Sequence, residues 1–227
     1  RTGILMKIIF QFAIIFIFAG CNPQGSSKKE DHTVSDTTNS NSQVSFSHTD
    51  SSSVKQKEKT DTSLLMAISA KILALIKNRD YKQFSTFIHP KDSIRFSPYA
   101  YIDTTKDRSL SVDQFLHLLK QNKRINWNSS WDGEKPELLT VEGYFKKFIY
   151  DVNFLNAELK SINQYHSQGT DLNNIGEAYP GYNVVEFFFS GFEKKYDGLD
   201  FRGLRLVYKM NNNKPYLIGI IHDQWTP

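Results

Sequence analysis

The sequence predicts an α+β domain in which N-terminal helices pack on a curved antiparallel sheet. Three observations support this fold class. Apolar residues recur with helical spacing between positions 64 and 88, apolar and β-branched residues form strand-like segments after position 183, and turn-forming residues separate these segments. A chain that places its helices first and its strands later favours helices on one face of an antiparallel sheet.

Two helices are predicted to open the domain. The first has apolar residues that share one stripe of an amphipathic helix, namely Leu64, Ile68, Ile72, Leu75 and Ile76. A polar residue at one of positions 61–63 can cap it. After a short turn, Asp80 can cap a second helix, which ends at His89 because the residue before a proline disfavours the helical conformation.

Short strands and two further helices are predicted in the middle of the domain. Residues 93–97 and 99–102 alternate in polarity on either side of a proline, as two short edge strands or one bent strand would. Ser111 and Gln114 have the spacing of a capping box at the start of a third helix. Thr140 can cap a fourth helix.

The C-terminal part is predicted to supply most of the sheet. Three segments have strand character: Val184–Phe189, Leu204–Met210 and Tyr216–His222. The last two are joined by three asparagines, which predicts a hairpin. One more strand is predicted earlier, over Tyr150–Leu155 or over Leu159–His166.

The first 20 residues resemble a bacterial lipoprotein signal peptide. Lys7 precedes the apolar run Ile8–Phe18, and Ala19-Gly20 stands directly before Cys21, as in a lipobox. The run would cover only about half of a ~30 Å hydrocarbon core, so it is too short to span a membrane. Cys21, the only cysteine, is therefore the expected lipidation site, and Asn22 after it favours the outer membrane over the inner one.

We therefore expect three segments: the signal peptide with its upstream extension (1–20), the lipidated cysteine with a disordered tether (21–60), and the folded domain (61–227). The tether is rich in Ser, Thr, Asn and Lys, and it has too few apolar residues to form a core. Removal of residues 1–20 leaves 26 basic and 24 acidic residues. This balance argues against a nucleic-acid partner, because a nucleic-acid binder has a concentrated basic face.

Three short motifs resemble a group of uncharacterised bacterial envelope lipoproteins: His89-Pro90, Arg95 to Tyr101 (RFSPYAY) and Gly219 to Thr226 (GIIHDQWT). In addition, the order of elements is similar to that of the NTF2-like cone. These resemblances imply a cell-envelope location and a fold, but no reaction. NTF2-like cones serve isomerases, dehydratases, immunity factors and binding modules, so the fold alone does not define the function.

Three residues are candidates for acid–base chemistry: His222, Asp223 and Tyr101. Imidazole titrates near neutral pH, and a neighbouring carboxylate can hold it in one tautomer. However, adjacent residues of a strand point to opposite faces, so His222 and Asp223 can line one pocket only if the strand ends between them. The alternative is a structural hydrogen bond near the edge of the sheet.

Five residues are candidates for ligand contact: Arg95, Tyr99, Tyr101, Trp127 and Trp131. The first three could hold an anionic or sugar-like ligand, because arginine offers a planar set of donors and tyrosine a flat amphipathic ring. Alternatively, Arg95 pairs with a carboxylate such as Asp103 and the tyrosines cover the core. The two tryptophans either bind a ligand from an exposed loop or plug the open end of the domain. Trp225 is expected to close the core.

The sequence has no phosphate-binding loop, no zinc-protease motif and no hydrolase nucleophile elbow, so we expect neither a metal nor a cofactor. We expect a module that binds a small molecule or an envelope protein without catalysis. The alternatives are an isomerase, dehydratase or hydrolase, and a purely structural or immunity protein. An apolar pocket would favour a binding module. A buried cluster of histidine, carboxylate and tyrosine would favour an enzyme, and an interior filled by side chains would favour a structural role.

Overall fold

The computed structural model describes residues 61–129, 135–166 and 173–225. These residues form an α+β domain with a six-stranded sheet. Its two hydrophobic clusters consist of residues between positions 65 and 221. A fragment from residue 60 onward contains all of these core residues. The predicted signal peptide, Cys21 and tether lie outside the described residues.

The large sheet has the strand order β2-β1-β8-β7-β6-β5. Its strands are β1 (Ile94–Ser97), β2 (Arg108–Leu110), β5 (Leu159–Ile162), β6 (Asn183–Phe189), β7 (Arg202–Asn211) and β8 (Lys214–Gln224). A separate pair consists of β3 (Ile125–Asn126) and β4 (Leu138–Leu139). All neighbours in the large sheet are antiparallel except β1 and β8. The sheet is therefore mixed, and its edges at β2 and β5 do not pair with each other.

Four of the five described α-helices begin at the predicted caps, and the short fifth helix was not predicted. The five are α1 (Thr62–Lys77), α2 (Tyr81–Ser85), α3 (Val112–Gln121), α4 (Val141–Phe148) and α5 (Ile175–Ala178). Side chains of Asp61, Asp80, Ser111 and Thr140 accept hydrogen bonds from backbone N–H groups of the first turns, and the capping box of α3 is complete. None of the described helices combines the length and the apolar character needed to cross a bilayer.

Two details of the first helices differ from the prediction. Leu64 is 40% exposed, whereas Leu65 and Leu73 are fully buried. The two adjacent leucines fit the helical period almost equally well, and contact with the sheet selects Leu65. Helix α2 ends at Ser85, and Ile88 instead forms a bridge with Leu217.

The prediction was also wrong about the short strands. β1 is an interior strand, because it pairs with both β2 and β8. Residues 99–102 form bends and no strand, and β2, which supplies the edge, was not predicted. Of the two alternatives for the earlier strand, only Leu159–Ile162 forms one. The predicted hairpin of β7 and β8 is confirmed, and its turn residues Asn212 and Asn213 both have positive φ, as a tight hairpin turn requires.

Aromatic side chains fill the space between the helices and the sheet. Trp127 is fully buried and stacks on Tyr144, with 4.2 Å between the ring centroids. Phe96 contacts both rings, and Phe145 packs against Phe96 from α4. We call this side of the sheet the helix face. Aromatic rings thus pack closely against one another on the described part of the helix face.

The opposite side, which we call the second face, has a smaller apolar cluster. Its buried members are Ile102, Ile175, Tyr179, Val184, Val207, Ile218 and Ile221. Helix α5 and residues 98–107, which we call the β1–β2 loop, contribute to this cluster. The buried charged residues Glu186, Arg205 and Asp223 also lie on the second face.

Candidate functional site

His222 and Asp223 point to opposite faces of β8, as predicted from their adjacency. His222 is completely buried on the helix face, where its ring meets Phe148. Its Nδ1 lies 3.3 Å from the carbonyl oxygen of Pro98, and its Nε2 lies 3.3 Å from Oδ1 of Asp151. Both partners are acceptors, so both contacts can be hydrogen bonds only when each ring nitrogen carries a hydrogen.

Asp151 connects His222 to the surface. Its other oxygen, Oδ2, accepts a hydrogen bond of 2.7 Å from Nε of Arg202. Burial raises the pKa of Asp151, but the hydrogen bonds from His222 and Arg202 outweigh this effect, and the pKa ends below its usual value. His222 is thus held between two fixed acceptors. This arrangement corresponds to the structural alternative for His222.

Asp223 belongs to a buried ionic network on the second face. Arg205 donates from Nε to Oε1 of Glu186 at 2.8 Å and from Nη2 to Oδ2 of Asp223 at 2.6 Å. All three side chains have no exposed surface. A buried charge is tolerated only when it is paired and hydrogen-bonded, and here one guanidinium serves two carboxylates. We call these three residues the Arg205 triad.

The triad lies beneath a pair of partly exposed side chains. The ring of Tyr165 lies over the guanidinium of Arg205 at 5.5 Å. His166 places both its backbone N–H and its ring Nδ1 at 2.8 Å from Oε2 of Glu186. If Nδ1 carries the hydrogen toward Glu186, Nε2 is left as an acceptor on a ring that is 35% exposed.

Within the described residues, the triad leaves two buried polar atoms without a hydrogen-bond partner. They are Nη1 of Arg205 and Oδ1 of Asp223. An unpaired buried polar group costs about 1–3 kcal/mol, so such groups usually hold a buried water molecule.

Arg95 lies on the second face, at the other side of the apolar cluster. Its Nη1 donates to the carbonyl oxygen of Thr104 at 2.8 Å, so the expected pairing with Asp103 is replaced by a backbone contact. Its charge lowers the pKa of both Asp107 and Tyr179, which places these three groups together. Burial dominates in both cases, and it raises the pKa of Asp107 to about 6 and that of Tyr179 to about 12.

The other predicted ligand contacts do not converge with Arg95. Tyr99 packs against Phe148 on the helix face and donates to the carbonyl oxygen of Ser129 at 2.9 Å. Tyr101 is exposed. Trp127 plugs the aromatic core, where its Nε1 donates to the carbonyl oxygen of Leu139. Trp131 lies outside the described residues.

Exposed apolar side chains gather at one end of the sheet. Trp225 follows β8, Leu159 begins β5, and three more lie in the β6–β7 loop (residues 190–201), namely Phe192, Tyr196 and Leu199. Each is between 42% and 52% exposed. The strand pairing places four strand ends next to one another at this end of the sheet. The end of β8 lies beside the start of β7, the start of β7 lies beside the end of β6, and the end of β6 lies beside the start of β5. We call these five residues the apolar end. Because Trp225 is exposed, it does not close the core, contrary to the prediction.

The β6–β7 loop is fixed by its own hydrogen bonds. Oδ2 of Asp200 accepts from the N–H of Glu193 at 2.8 Å, and Oε2 of Glu158 accepts from the N–H and the hydroxyl of Ser190. Gly191 has a φ of +149°, and a Cβ atom at this position would lie 2.9 Å from Oδ1 of Asp200. The loop thus presents its apolar side chains to solvent in one defined conformation.

Two surface pockets formed by described residues have volumes of about 320 and 370 Å³. The smaller one lies among Tyr81, Leu118 and Val141, where α3 approaches the start of α4. The larger one lies inside the β6–β7 loop. Neither is lined by a candidate residue from the sequence. In the described ranges, no group of three His, Cys, Asp or Glu side chains is placed to hold a metal ion.

Sequence reasoning missed the polar residues that the fold brings together. Glu186 is the one charged residue of the otherwise apolar strand β6, and this signal was available, whereas Arg205 is one of three basic residues of β7 and does not stand out. Asp107, Asp151 and His166 lie in connecting segments, where neither period nor spacing sets them apart.

The comparisons with known proteins add no relative. No protein-family model matches the chain, and no curated protein and no solved structure is significantly similar to it.

Proposed function

We propose that this chain is a lipid-anchored protein of the bacterial cell envelope whose folded domain binds a protein partner and catalyses no reaction. The lipobox at Cys21 supports the location, with Asn22 favouring the outer membrane. For the fold, we propose an NTF2-like arrangement, since helices cover one face of the sheet in the order expected for it. In this arrangement aromatic side chains occupy the space that would otherwise hold a small ligand.

The apolar end is the observation that carries the proposal of a partner. Five side chains of roughly 200 Å² each, a little under half exposed, present roughly 450 Å² of surface. The largest apolar patch on a typical monomer covers about 300–600 Å² and often has a function, so an exposed area of this size suits an interaction site. Aromatic residues on a fixed loop lose little conformational entropy on binding, which suits them to the centre of an interface.

The charges around this surface favour a partner with a basic rim. Residues 190–200 contain two lysines and three acidic residues, and Leu159 lies between Glu158 and Lys160, so the surface has three positive against four negative charges. This balance lacks the excess of basic residues that attracts proteins to a bilayer with anionic lipids. A protein surface with an apolar centre and a basic rim is complementary to it.

Site-specific photo-crosslinking in intact cells tests this proposal. A photoreactive phenylalanine analogue would replace Phe192 or Trp225, with Leu64 and Leu138 as controls of similar exposure elsewhere on the domain. We expect one discrete protein adduct from both test positions and none from the controls. The adduct should weaken when Glu193 is changed to Lys. Adducts of equal yield at all four positions, or at none, would contradict the proposal.

The location is tested separately by the Cys21→Ala variant. Acylation supplies the membrane anchor, so this variant should lose its fatty acids and leave the membrane fraction. Unchanged membrane fractionation would contradict the lipid anchor without bearing on the apolar end.

Acid–base catalysis is the second candidate function, and one observation favours it. The contact of His166 with the buried Glu186 resembles the carboxylate–histidine pairs that hold a catalytic imidazole in one tautomer. Tyr165 completes a cluster of histidine, carboxylate and tyrosine. Under this alternative, His166→Gln would abolish turnover of a substrate while leaving the fold intact.

A further inference from the structure

Strand β5 ends the large sheet, and one side of its backbone has no partner strand among the described residues. The strand order places β6 on its inner side and no strand beyond it. The register pairs Leu159 with Phe188 and Ile162 with Val185, so β6 occupies only that inner side. An edge of this kind carries backbone N–H and C=O groups that are free to pair with another chain.

The pairing with β6 determines which backbone groups of β5 point outward. The N–H of Asn163, the residue after the strand, donates to the carbonyl oxygen of Val184 at 2.9 Å. In an antiparallel pair, residues that exchange hydrogen bonds with the neighbouring strand alternate with residues that do not. The odd-numbered residues of β5 therefore bond to β6, whereas Lys160 and Ile162 direct their N–H and C=O groups away from it.

The described chain on either side of β5 leaves this edge open. Before the strand, Phe154 packs in the larger hydrophobic cluster on the helix face and contacts Phe189. After the strand, the N–H of His166 donates to Glu186 on the second face. Both flanking segments thus turn onto a face of the sheet, and no described residue hydrogen-bonds to the outward groups of β5.

The side chains of β5 give the edge little protection. Lysine on an edge strand commonly prevents pairing with another chain. Here, however, Nζ of Lys160 donates to the carbonyl oxygen of Leu155 at 2.8 Å, which holds the charge beside the segment that precedes the strand. The other side chains of the strand are uncharged, and Leu159 is 43% exposed. The edge therefore combines open backbone groups with an exposed apolar side chain, as the sheet edges that accept an added strand do.

Leu159 connects this edge to the apolar end, because it belongs to both. It pairs with Phe188 near the end of β6, and the β6–β7 loop with Phe192 follows directly. An extended segment that pairs with Lys160 and Ile162 passes beside Leu159. It therefore reaches the apolar end without leaving the edge of the sheet.

We propose that the partner bound at the apolar end contributes an extended segment, which adds to β5 as a seventh strand of the large sheet. This inference rests on the proposed function and names the form of the partner's binding segment. The outward groups of Lys160 and Ile162 recognise the backbone of that segment, and the apolar end selects its side chains. A helix cannot fill this role, because its backbone groups are already bonded within the helix.

Proline at position 160 tests the added strand. Lys160→Pro removes an N–H that points outward, so the pairing of β5 with β6 persists while the proline ring obstructs a further strand. Lys160→Ala is the matched control, because it removes the same side chain and keeps the N–H. Thermal unfolding of both variants checks that the fold persists. In full-length chains with the photoreactive analogue at Phe192, Lys160→Pro should lower the yield of the partner adduct at least roughly tenfold, and Lys160→Ala should retain it.

A second measurement does not depend on the proline variant. The photoreactive analogue in place of Lys160 should form an adduct with the same protein as the analogue at Phe192, because an added strand lies about 4.8 Å from β5. This measurement decides the question if Lys160→Pro does not fold.

The outcomes separate the added strand from the proposed function. Equal adducts from Phe192 in the Lys160→Pro and Lys160→Ala chains would overturn the added strand and leave the partner in place. The absence of an adduct from position 160 would do the same. An adduct with the mass of two copies of this chain would also overturn it, because β5 would then pair with itself. Loss of the adduct from every position would overturn both proposals.

Discussion

Replacing Arg205 with methionine should destabilise the domain more than most single substitutions. Methionine has a similar length and keeps the buried volume, but it removes both hydrogen bonds of the guanidinium. Glu186 and Asp223 would then remain as two buried carboxylates without a positive charge between them. The perturbation therefore tests whether the triad is as fully buried and as tightly paired as the structure indicates.

The size of the effect follows from the geometry. Two charge-assisted hydrogen bonds are lost, at about 1.5–3 kcal/mol each, and removal of one partner from a buried pair costs about 3–5 kcal/mol in total. We expect a loss of about 4–5 kcal/mol at pH 7, out of a total stability of about 5–15 kcal/mol. For a domain of this size, this loss corresponds to a fall in Tm of roughly 10–15 °C.

Urea unfolding and calorimetry of the fragment 60–227 measure this loss. The matched control is Lys209→Met on the same strand, which breaks the exposed ion pair with Asp92 and should have a far smaller effect.

A further variant in which all three triad residues are apolar should recover much of the lost stability. A loss below about 2 kcal/mol in the single Arg205→Met variant would refute the reasoning, because it would mean that water reaches these groups.

Two further pairs of substitutions test the packing of individual side chains. His222→Ala should cost more than about 2 kcal/mol of stability, because it empties a fully buried site and leaves two acceptors unpaired. Tyr101→Phe should leave Tm nearly unchanged, because Tyr101 is exposed. Thermal unfolding that ranks the two variants in the opposite order would contradict the placement of these side chains. Gly219→Ala should cost about 1–3 kcal/mol of stability, because its Cβ would lie 2.5 Å from the hydroxyl oxygen of Tyr179. In a double-mutant cycle, adding Tyr179→Phe should recover part of that loss. If the effects of the two substitutions are strictly additive, the two side chains do not touch.

The helices and the hairpin could be predicted because their signals are local. The capping box of Ser111 and Gln114 closes within a single turn of α3, and the asparagine turn closes the hairpin between adjacent segments. In contrast, the short strands were predicted poorly. β1 has four residues, and its position between β2 and β8 depends on pairing with a segment more than 120 positions later in the chain.

The candidate site could be predicted only in part. The opposite orientation of His222 and Asp223 follows from the geometry of any strand, and it was predicted correctly. Their partners could not be predicted, since Asp151 and Arg205 are distant in sequence and belong to different elements. The fate of Trp127 was left open between two alternatives, and only its stacking on Tyr144 decided that it fills the core.

By itself, the sequence determined where helices start, which segments extend, and where the chain reverses, because hydrogen bonds between near neighbours decide these features. Only the tertiary structure decided which charges are buried together, which acid lies beneath a loop, and which apolar side chains remain in water. These outcomes depend on how much solvent each group loses when distant segments meet. The desolvation of Arg205 or of Asp107 is a property of the assembled sheet and not of the residues beside it in the chain.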